Sequence, residues 1–271
     1  MSHRPKKRFG QNFLVERGIQ RRIIDACALK PEDIVLEIGA GRGELTRLIA
    51  NKVKKVYAVE LDRELLPLLK ENLKNSGNVE IINQDILKLN MSSKFGGIKK
   101  KLIAIGNVPY YISTPIIEFL FNRKKKVRAV FLTVQKEFGR RIAADPGSKV
   151  YGSLSCFVQY YSVPEILFDI SKGCFFPAPK VDSSFISLKI RERPLLKEKE
   201  EACFFKIVRS AFNKRRKTLR NSLSNIISKE SLEKFFKEFS LSRNIRPEEL
   251  SVLEFMNLAR KTNLINNKKN T

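Results

Sequence analysis

The sequence of 271 residues predicts an α/β fold with a mostly parallel sheet, followed by a small α-helical domain. Short runs rich in Val and Ile alternate with amphipathic segments of helical spacing through the first two thirds of the chain. Such alternation is typical of βαβ units, in which helices cover both faces of a parallel sheet. After about residue 192 the strand signal fades and only helical spacing remains. We therefore expect two domains, residues 1–192 and residues 193–271.

The predicted sheet has seven strands. Its first five are "DIVLEIG" (33–39), "KVYAVEL" (55–61), "VEIINQD" (79–85), "KLIAIGN" (101–107) and "VRAVFLTVQ" (127–135). A helical segment, "GSLSCFVQYYS", comes next, and two further strands, "VPEILFDI" and "VDSSFISLKI", follow it. A short connection containing Gly and Pro joins those two strands, and this separation favours a hairpin at the sheet edge over another crossover.

Composition and charge restrict the partners of the chain. The net charge of +25 and the pI near 10.1 predict a polyanionic partner, with a Lys-rich solubility surface as the alternative. One histidine, His3, and four scattered cysteines argue against imidazole catalysis and against a metal site. No apolar run approaches the length of a membrane span. We expect a cytoplasmic, monomeric protein with reduced thiols and neither a metal nor a membrane contact.

Three glycines follow the first strand in "LEIGAGRGELT". Glycines at this turn allow a ligand to approach the backbone at the carboxyl end of the sheet. The dinucleotide pattern G-x-G-x-x-G fails, because Glu44 occupies its third glycine position. The spacing of Gly39, Gly41 and Gly43, with Glu37 just before them, therefore suits a ligand that lacks a pyrophosphate.

Two acidic residues end the next two strands. Glu60 can accept hydrogen bonds from both hydroxyls of a ribose, and Asp85 can accept one from an adenine amino group. The alternative for each is a helix N-cap or a solvated strand end. Taken together with the glycine turn, these positions resemble a site for S-adenosylmethionine (SAM).

The stretch "IAIGNVPYYIST" (103–114) places an amide, a proline and two tyrosines at the end of the fourth strand. The Asn107 amide oxygen and a backbone carbonyl near Val108 or Pro109 can accept the two N6 hydrogens of an adenine. Pro109 fixes its own φ and so helps to hold those carbonyls. A proline turn whose aromatic rings fold into the core is the alternative.

Stacking on an extruded base is the predicted role of Tyr110. Extrusion costs a few kcal/mol and one aromatic contact returns roughly 1–3 kcal/mol, so a second ring is expected. Phe175 in "CFFPAPKVDS" is the candidate for this second wall, and its neighbour Phe176 is assigned to packing.

Several motifs, among them "FGQNFL", "EIGAGRGELT", "GNVPYYIST", "FFPAPKVDS" and "AFNKRRKTLRNSL", make the chain resemble the KsgA (RsmA) family of small-subunit ribosomal RNA adenine dimethyltransferases. The resemblance runs nearly end to end. It implies a Rossmann-like, SAM-dependent methyltransferase domain with a helical C-terminal domain, and a basic N-terminal arm (residues 1–14) over the SAM site. Departures from the family pattern occur at Val108, Tyr111 and Ala178.

The resemblance also implies roles for individual residues. Those implied to contact SAM are Asn12, Leu14, Gly39, Glu60, Asp85 and Asn107. Asn107, Pro109, Tyr110 and Phe175 would form the catalytic loop and the stacking walls. For Asn12 the alternative is a helix cap. The RNA-binding residues in "NKRRKTLRN", on a helix or its approach, are Lys214, Arg215, Arg216, Lys217 and Arg220, with a solvated charge run as the alternative.

The function implied is dimethylation of the N6 amines of two adjacent adenosines in the loop of the 3′-terminal helix of 16S rRNA, late in small-subunit biogenesis. The partner would be 16S rRNA within a small-subunit precursor. Two alternatives stay open at this point. One is the sister 23S rRNA adenine dimethyltransferase of the macrolide-resistance type, and the other is a non-catalytic RNA-binding assembly factor.

Overall fold

A computed structural model describes residues 4–213 and 217–267, without the side chains of Lys7 and of residues 263–267. The chain divides into two compact units. The first contains residues 1–139 and 164–190, and the second contains residues 140–163 and 191–271. The single domain boundary predicted between residues 192 and 193 stays a prediction.

The first unit is built on a seven-stranded sheet and a separate two-stranded ribbon. The strands of the unit are β1 (Phe13–Leu14), β2 (Ile34–Ile38), β3 (Lys55–Glu60), β4 (Val79–Asn83), β5 (Leu102–Asn107), β6 (Val127–Gln135), β7 (Ser162–Ile170), β8 (Phe175–Phe176) and β9 (Ser183–Ile190). The first two residues of β7 belong to the second unit. Its helices are α1 (Arg17–Ala26), α2 (Glu44–Ala50), α3 (Leu66–Asn72), α4 (Met91–Lys94), α5 (Ser113–Phe121) and α6 (Lys136–Ile142), of which the last runs into the second unit.

The large sheet has the strand order β4-β3-β2-β5-β6-β9-β7. The five strands from β4 to β6 pair in parallel, and β9 pairs antiparallel with β6. The central strands are continuous buried runs, such as residues 102–106 of β5, because helices cover both of their faces. β7 and β9 are neighbours at one edge, which confirms the predicted mostly parallel sheet with an edge hairpin.

The two-stranded ribbon joins distant parts of the sequence. β1 and β8 pair antiparallel, with Phe13 opposite Phe176 and Leu14 opposite Phe175. Leu14 and Phe175 are both buried in the core beside the sheet, where they belong to the same hydrophobic cluster as Ile23 and Phe185. Directly opposite residues of an antiparallel pair project to the same side, so Phe13 and Phe176 share the other face of the ribbon.

The second unit is helical, with its core around Phe204, Phe235 and Phe255. Its helices are α7 (Ser153–Tyr161), α8 (Glu198–Phe212), α9 (Leu219–Leu223), α10 (Lys229–Glu238) and α11 (Val252–Asn267). α8 ends at Phe212, and Lys217 directly precedes Thr218, the N-cap of α9, so it lies on the approach to a helix. No helix in the described part of the chain has the length and apolarity needed to cross a membrane.

Candidate active site

A cleft opens at the carboxyl ends of β2, β3, β4 and β5, where ligands bind in sheets of this type. Its open space, solvent mouth included, is about 870 Å³. Seven of the predicted site residues line it, namely Asn12, Gly39, Glu60, Asp85, Asn107, Pro109 and Tyr110. The residues come from five separate chain segments, and the strand ends bring them together as the sequence predicts.

The glycine turn forms one wall of the cleft. Gly39 and Gly41 have φ values of +75° and +59°, a left-handed conformation that other residues adopt only with strain. A Cβ atom at Gly41 would also lie 3.3 Å from the ring of Phe13. The turn therefore presents bare backbone to the cleft, as a site for close ligand approach requires.

Glu60 is 7% exposed, and the backbone fixes its carboxylate. Its Oε2 accepts a hydrogen bond from the Gly41 N–H (2.8 Å), and its Oε1 accepts one from the Asp62 N–H (2.7 Å). Burial raises the pKa of Glu60 above its ordinary value, against the effect of these two amides. Each carboxylate oxygen can accept a second hydrogen bond, so an oriented pair of acceptors remains for a ligand diol.

Asp85 is half-buried. It is both an N-cap and a residue of the cleft, the two roles that the sequence leaves open. Its Oδ1 accepts a hydrogen bond from the Leu87 N–H (2.9 Å) and so caps the short 3-10 turn Ile86–Lys88. The same residue lines the cleft. The capping contact therefore holds the carboxylate in place without removing it from the candidate site.

Asn107 ends β5, and the N-terminal arm orients its side chain. Its Nδ2 donates a hydrogen bond to the Asn12 carbonyl oxygen (2.8 Å). A carbonyl oxygen can only accept, so the amide nitrogen must face the arm and Oδ1 is the atom left to accept a hydrogen. Asn12 does not cap α1, whose N-cap is Glu16.

Tyr110 is half-buried at the start of the turn that follows Pro109. Its hydroxyl lies 2.6 Å from the Oγ of Ser183, the first residue of β9. Burial raises the pKa of Tyr110 above its ordinary value, so the ring carries a neutral phenol near pH 7. Sequence reasoning missed Ser183 as the partner that fixes the ring, although it ends the quoted motif "FFPAPKVDS".

Two of the predicted site residues lie elsewhere. Leu14 and Phe175 are buried in the hydrophobic core, on the face of the β1–β8 ribbon opposite to Phe13. Phe13 lines the cleft, and the Arg42 guanidinium lies 4.5 Å from its ring centre. The packing assignment of Phe176 is wrong, because this ring is 55% exposed. The roles of Leu14 in SAM contact and of Phe175 in stacking stay predictions without support from their placement.

The N-terminal arm is attached to the rim of the cleft by a buried acid. Asp62, just beyond β3, forms an ion pair with Lys6 (Nζ to Oδ1, 2.7 Å) and accepts a hydrogen bond from Gln11 Nε2 (2.9 Å). Lys6 also pairs with Glu64 at 2.9 Å. Burial alone would raise the pKa of Asp62, but Lys6 and Gln11 hold it below its ordinary value. Neither Gln11 nor Asp62 was singled out from the sequence.

The predicted RNA-binding run is only partly visible. Lys214, Arg215 and Arg216 lie outside the described residues. Lys217 is exposed. Arg220 is half-buried and pairs with Glu233 at 3.4 Å, which partly neutralises its charge. Their role in RNA binding stays a prediction.

The sequence and the fold both match known proteins. The family model for "Ribosomal RNA adenine dimethylase" matches residues 2–263. Two proteins named "Ribosomal RNA small subunit methyltransferase A" are each 42% identical to this chain. The protein from Alkaliphilus metalliredigens aligns over 94% of this chain and 90% of its own length, and that from Clostridium botulinum over 93% and 92%.

Two solved structures have the same fold. A dimethyladenosine transferase from Plasmodium falciparum superposes with a TM-score of 0.76 at 25% identity, over 95% of this chain and 98% of its own. The 23S rRNA methyltransferase ErmE superposes with a TM-score of 0.77 at 24% identity, over 93% of this chain and 100% of its own. The chain therefore belongs to the ribosomal RNA adenine dimethylase family and is an rRNA adenine dimethyltransferase.

Proposed function

We propose that this enzyme transfers methyl groups from SAM to the N6 amines of two adjacent adenosines in the loop of the 3′-terminal helix of 16S rRNA, acting on a precursor of the small subunit. The observation that carries the proposal is the convergence of Glu60, Asp85 and Asn107 on one cleft beside the glycine turn. We choose the small subunit as the substrate because two relatives at 42% identity are named small-subunit methyltransferases. The likeness to a 23S rRNA enzyme supports the fold alone.

The residues of the cleft fit SAM. Glu60 would hold the ribose diol with the two oxygens that its backbone contacts orient, and Asp85 would accept from the adenine amino group. Burial raises the pKa of the neighbouring Glu37 to about 8, and the charges of Glu60 and Glu44 add to the rise. A buried acid whose pKa is raised by neighbouring carboxylates favours a ligand with positive charge, which SAM has. When bound, SAM supplies a methyl group on a positively charged sulfur.

Asn107 would position the target amine. Its Oδ1 accepts one N6 hydrogen, because the hydrogen bond to Asn12 turns the amide nitrogen away. A backbone carbonyl near Val108 or Pro109 accepts the other, so the nitrogen lone pair is directed out of the plane of the adenine. Tyr110 supports one face of the base, with its ring fixed by Ser183.

Methyl transfer to isolated subunits tests the proposal. Small subunits that lack N6-dimethyladenosine are incubated with the enzyme and SAM labelled in its methyl group, and the modified positions are mapped by primer extension. We expect label on two adjacent adenosines of the 3′-terminal loop, and none on large subunits treated in parallel. Label confined to large-subunit RNA would instead support the 23S alternative, and label in neither would reject the proposed substrate.

A further inference from the structure

Exposed aromatic rings are rare in this protein. The sequence has 19 Phe and 6 Tyr. Within residues 4–213 and 217–262, whose burial is described, only Tyr111 and Phe176 have more than half of their surface exposed, at 64% and 55%. The exposure of large aromatic rings to water is unfavourable, so exposed rings at or beside a ligand cleft indicate a surface for a partner.

One exposed ring lines the cleft, and the other lies on a strand that pairs with a cleft-lining strand. Tyr111 lines the cleft directly, one residue after Tyr110. Phe176 pairs across the β1–β8 ribbon with Phe13, which also lines the cleft. Because opposite residues project to the same side, Phe176 lies on the cleft face of the ribbon, whereas Phe175 lies on its core face.

Tyr111 is held in place at its exposed position. A Cβ atom at Gly10 would lie 3.2 Å from Tyr111 Cε1 and 3.2 Å from Pro109 Cβ, so the ring lies close against the backbone of the arm. Gly10 has φ +59°, and both this conformation and the small space favour glycine there. The ring is thus supported on one side by the arm and open to water on the other.

Exposed cations lie near the two rings in the sequence. The guanidinium of Arg8, next to the arm segment that supports Tyr111, is exposed and lies 4.9 Å from the ring centre of Phe9. Lys172 and Lys180 are exposed on either side of Phe176 in the sequence. Aromatic rings interleaved with cations bind single-stranded nucleic acid, because bases stack on the rings and phosphates contact the cations.

We propose that Tyr111 and Phe176 are stacking platforms for the two nucleotides that flank the extruded adenosine. This inference rests on the proposed function. Extrusion of one base removes a stacking partner from each of its neighbours. Two exposed rings, one in the cleft wall and one on the ribbon beside it, replace those partners while Tyr110 supports the target base itself.

The test measures RNA affinity in variants that keep the fold. Tyr111→Ala and Phe176→Ala are each expected to weaken binding to undermethylated small subunits roughly ten-fold at constant salt. Tyr111→Phe and Phe176→Tyr, which keep a ring, are expected to bind within two-fold of wild type. Ile166→Ala, which shortens an exposed apolar side chain of β7, is the matched control and is expected to bind as wild type. Thermal unfolding is measured on every variant and is expected to be unchanged, and RNA binding is compared at saturating SAM.

A synthetic hairpin of the target loop identifies the contact. Removal of one flanking base from this hairpin is expected to weaken wild-type binding as much as one alanine substitution does. In the variant that lacks the ring for that base, the same removal is expected to cause no further loss of affinity. Alanine variants that bind RNA within two-fold of wild type, or losses that simply add to those from base removal, would overturn the inference. The wild-type transfer assay decides the proposed function separately, because ring-dependent RNA binding can be found even if the label maps elsewhere.

Discussion

The two ends of strand β2 each carry a buried carboxyl group, and their surroundings shift the two pKa values in opposite directions. Asp33, just before the strand, is 1% exposed and pairs with Lys100 (3.0 Å) and Arg128 (2.9 Å). Burial alone would raise its pKa, but the Lys30 N–H and these two cations hold it below the ordinary value. Glu37, near the other end, is 2% exposed, and its buried Oε2 has no hydrogen-bond partner among the residues that the structure describes. Burial raises its pKa to about 8.

The difference separates a structural end of the sheet from a functional one. At the amino end, positive side chains satisfy the acid, which can then offer little to a ligand. At the carboxyl end, Glu37 and Glu60 lie in surroundings that disfavour their own charge, a common property of binding sites. Substitutions at the carboxyl end are therefore expected to change binding, catalysis or pH dependence, whereas those at the amino end are expected to change stability alone.

Asn107→Ala, at the carboxyl end, is expected to have the largest effect. Loss of the amide acceptor is expected to reduce kcat for methyl transfer by roughly 100- to 1,000-fold, by analogy with the removal of one hydrogen-bonding group from other active sites. RNA affinity and the unfolding midpoint are expected to stay close to those of wild type. Single-turnover transfer with saturating RNA measures the effect, and an unimpaired rate would show that Asn107 does not position the amine.

Glu37→Gln tests the comparison through the pH dependence of protein stability. The folded protein keeps a proton on Glu37 up to about pH 8, whereas the unfolded chain releases it near the ordinary value of 4.5. Wild-type stability should therefore fall as the pH rises from 4.5 to 8. The variant lacks this loss and is expected to be more stable than wild type by about 5 kcal/mol at pH 9, with little difference at pH 4. Urea unfolding at five pH values between 4 and 9 measures both curves, and parallel curves would contradict the raised pKa.

Asp33→Asn, at the opposite end, is expected to lower stability by about 2 kcal/mol at pH 7, because Lys100 and Arg128 lose their partner. Both cations are partly exposed, which limits the loss. The pKa of Asp33 is lowered, so its contribution is present above the unfolded pKa and is lost as the pH falls through the folded value. The variant should thus approach wild-type stability in acid, and its SAM affinity at pH 7 should be unchanged. Weaker SAM binding in the folded variant would break the distinction between the two ends.

Sequence patterns predicted the sheet and most of the cleft because both follow from strand ends. Glu60 and Asn107 are the last residues of β3 and β5, and parallel strands bring their carboxyl ends to one edge. Asp85 lies two residues beyond β4 on the same side. Position along a strand is visible in the periodicity of apolar residues, so these residues could be identified without coordinates.

The residues that the sequence did not reveal depend on contacts between distant segments. Whether Phe175 or Phe176 faces the core is set by the register with β1, more than 150 residues earlier. A shift of one residue reverses both faces, and two adjacent phenylalanines give no periodicity to choose between them. The contacts of Ser183 with Tyr110 and of Asp62 with Lys6 likewise join segments 73 and 56 residues apart.

The β1–β8 ribbon has a consequence for the synthesis of the chain. Strands β2 to β5, with Glu60 and Asn107, are complete once residue 107 has been made, but Phe13 cannot pair until residue 176 has left the ribosome. A nascent chain can therefore form the contacts of Asn12 with Asn107 and of Lys6 with Asp62 well before the ribbon pairs Phe13 and Leu14 beside them. The ribbon contact of the arm follows only late in translation, after the edge strand β7 has been made.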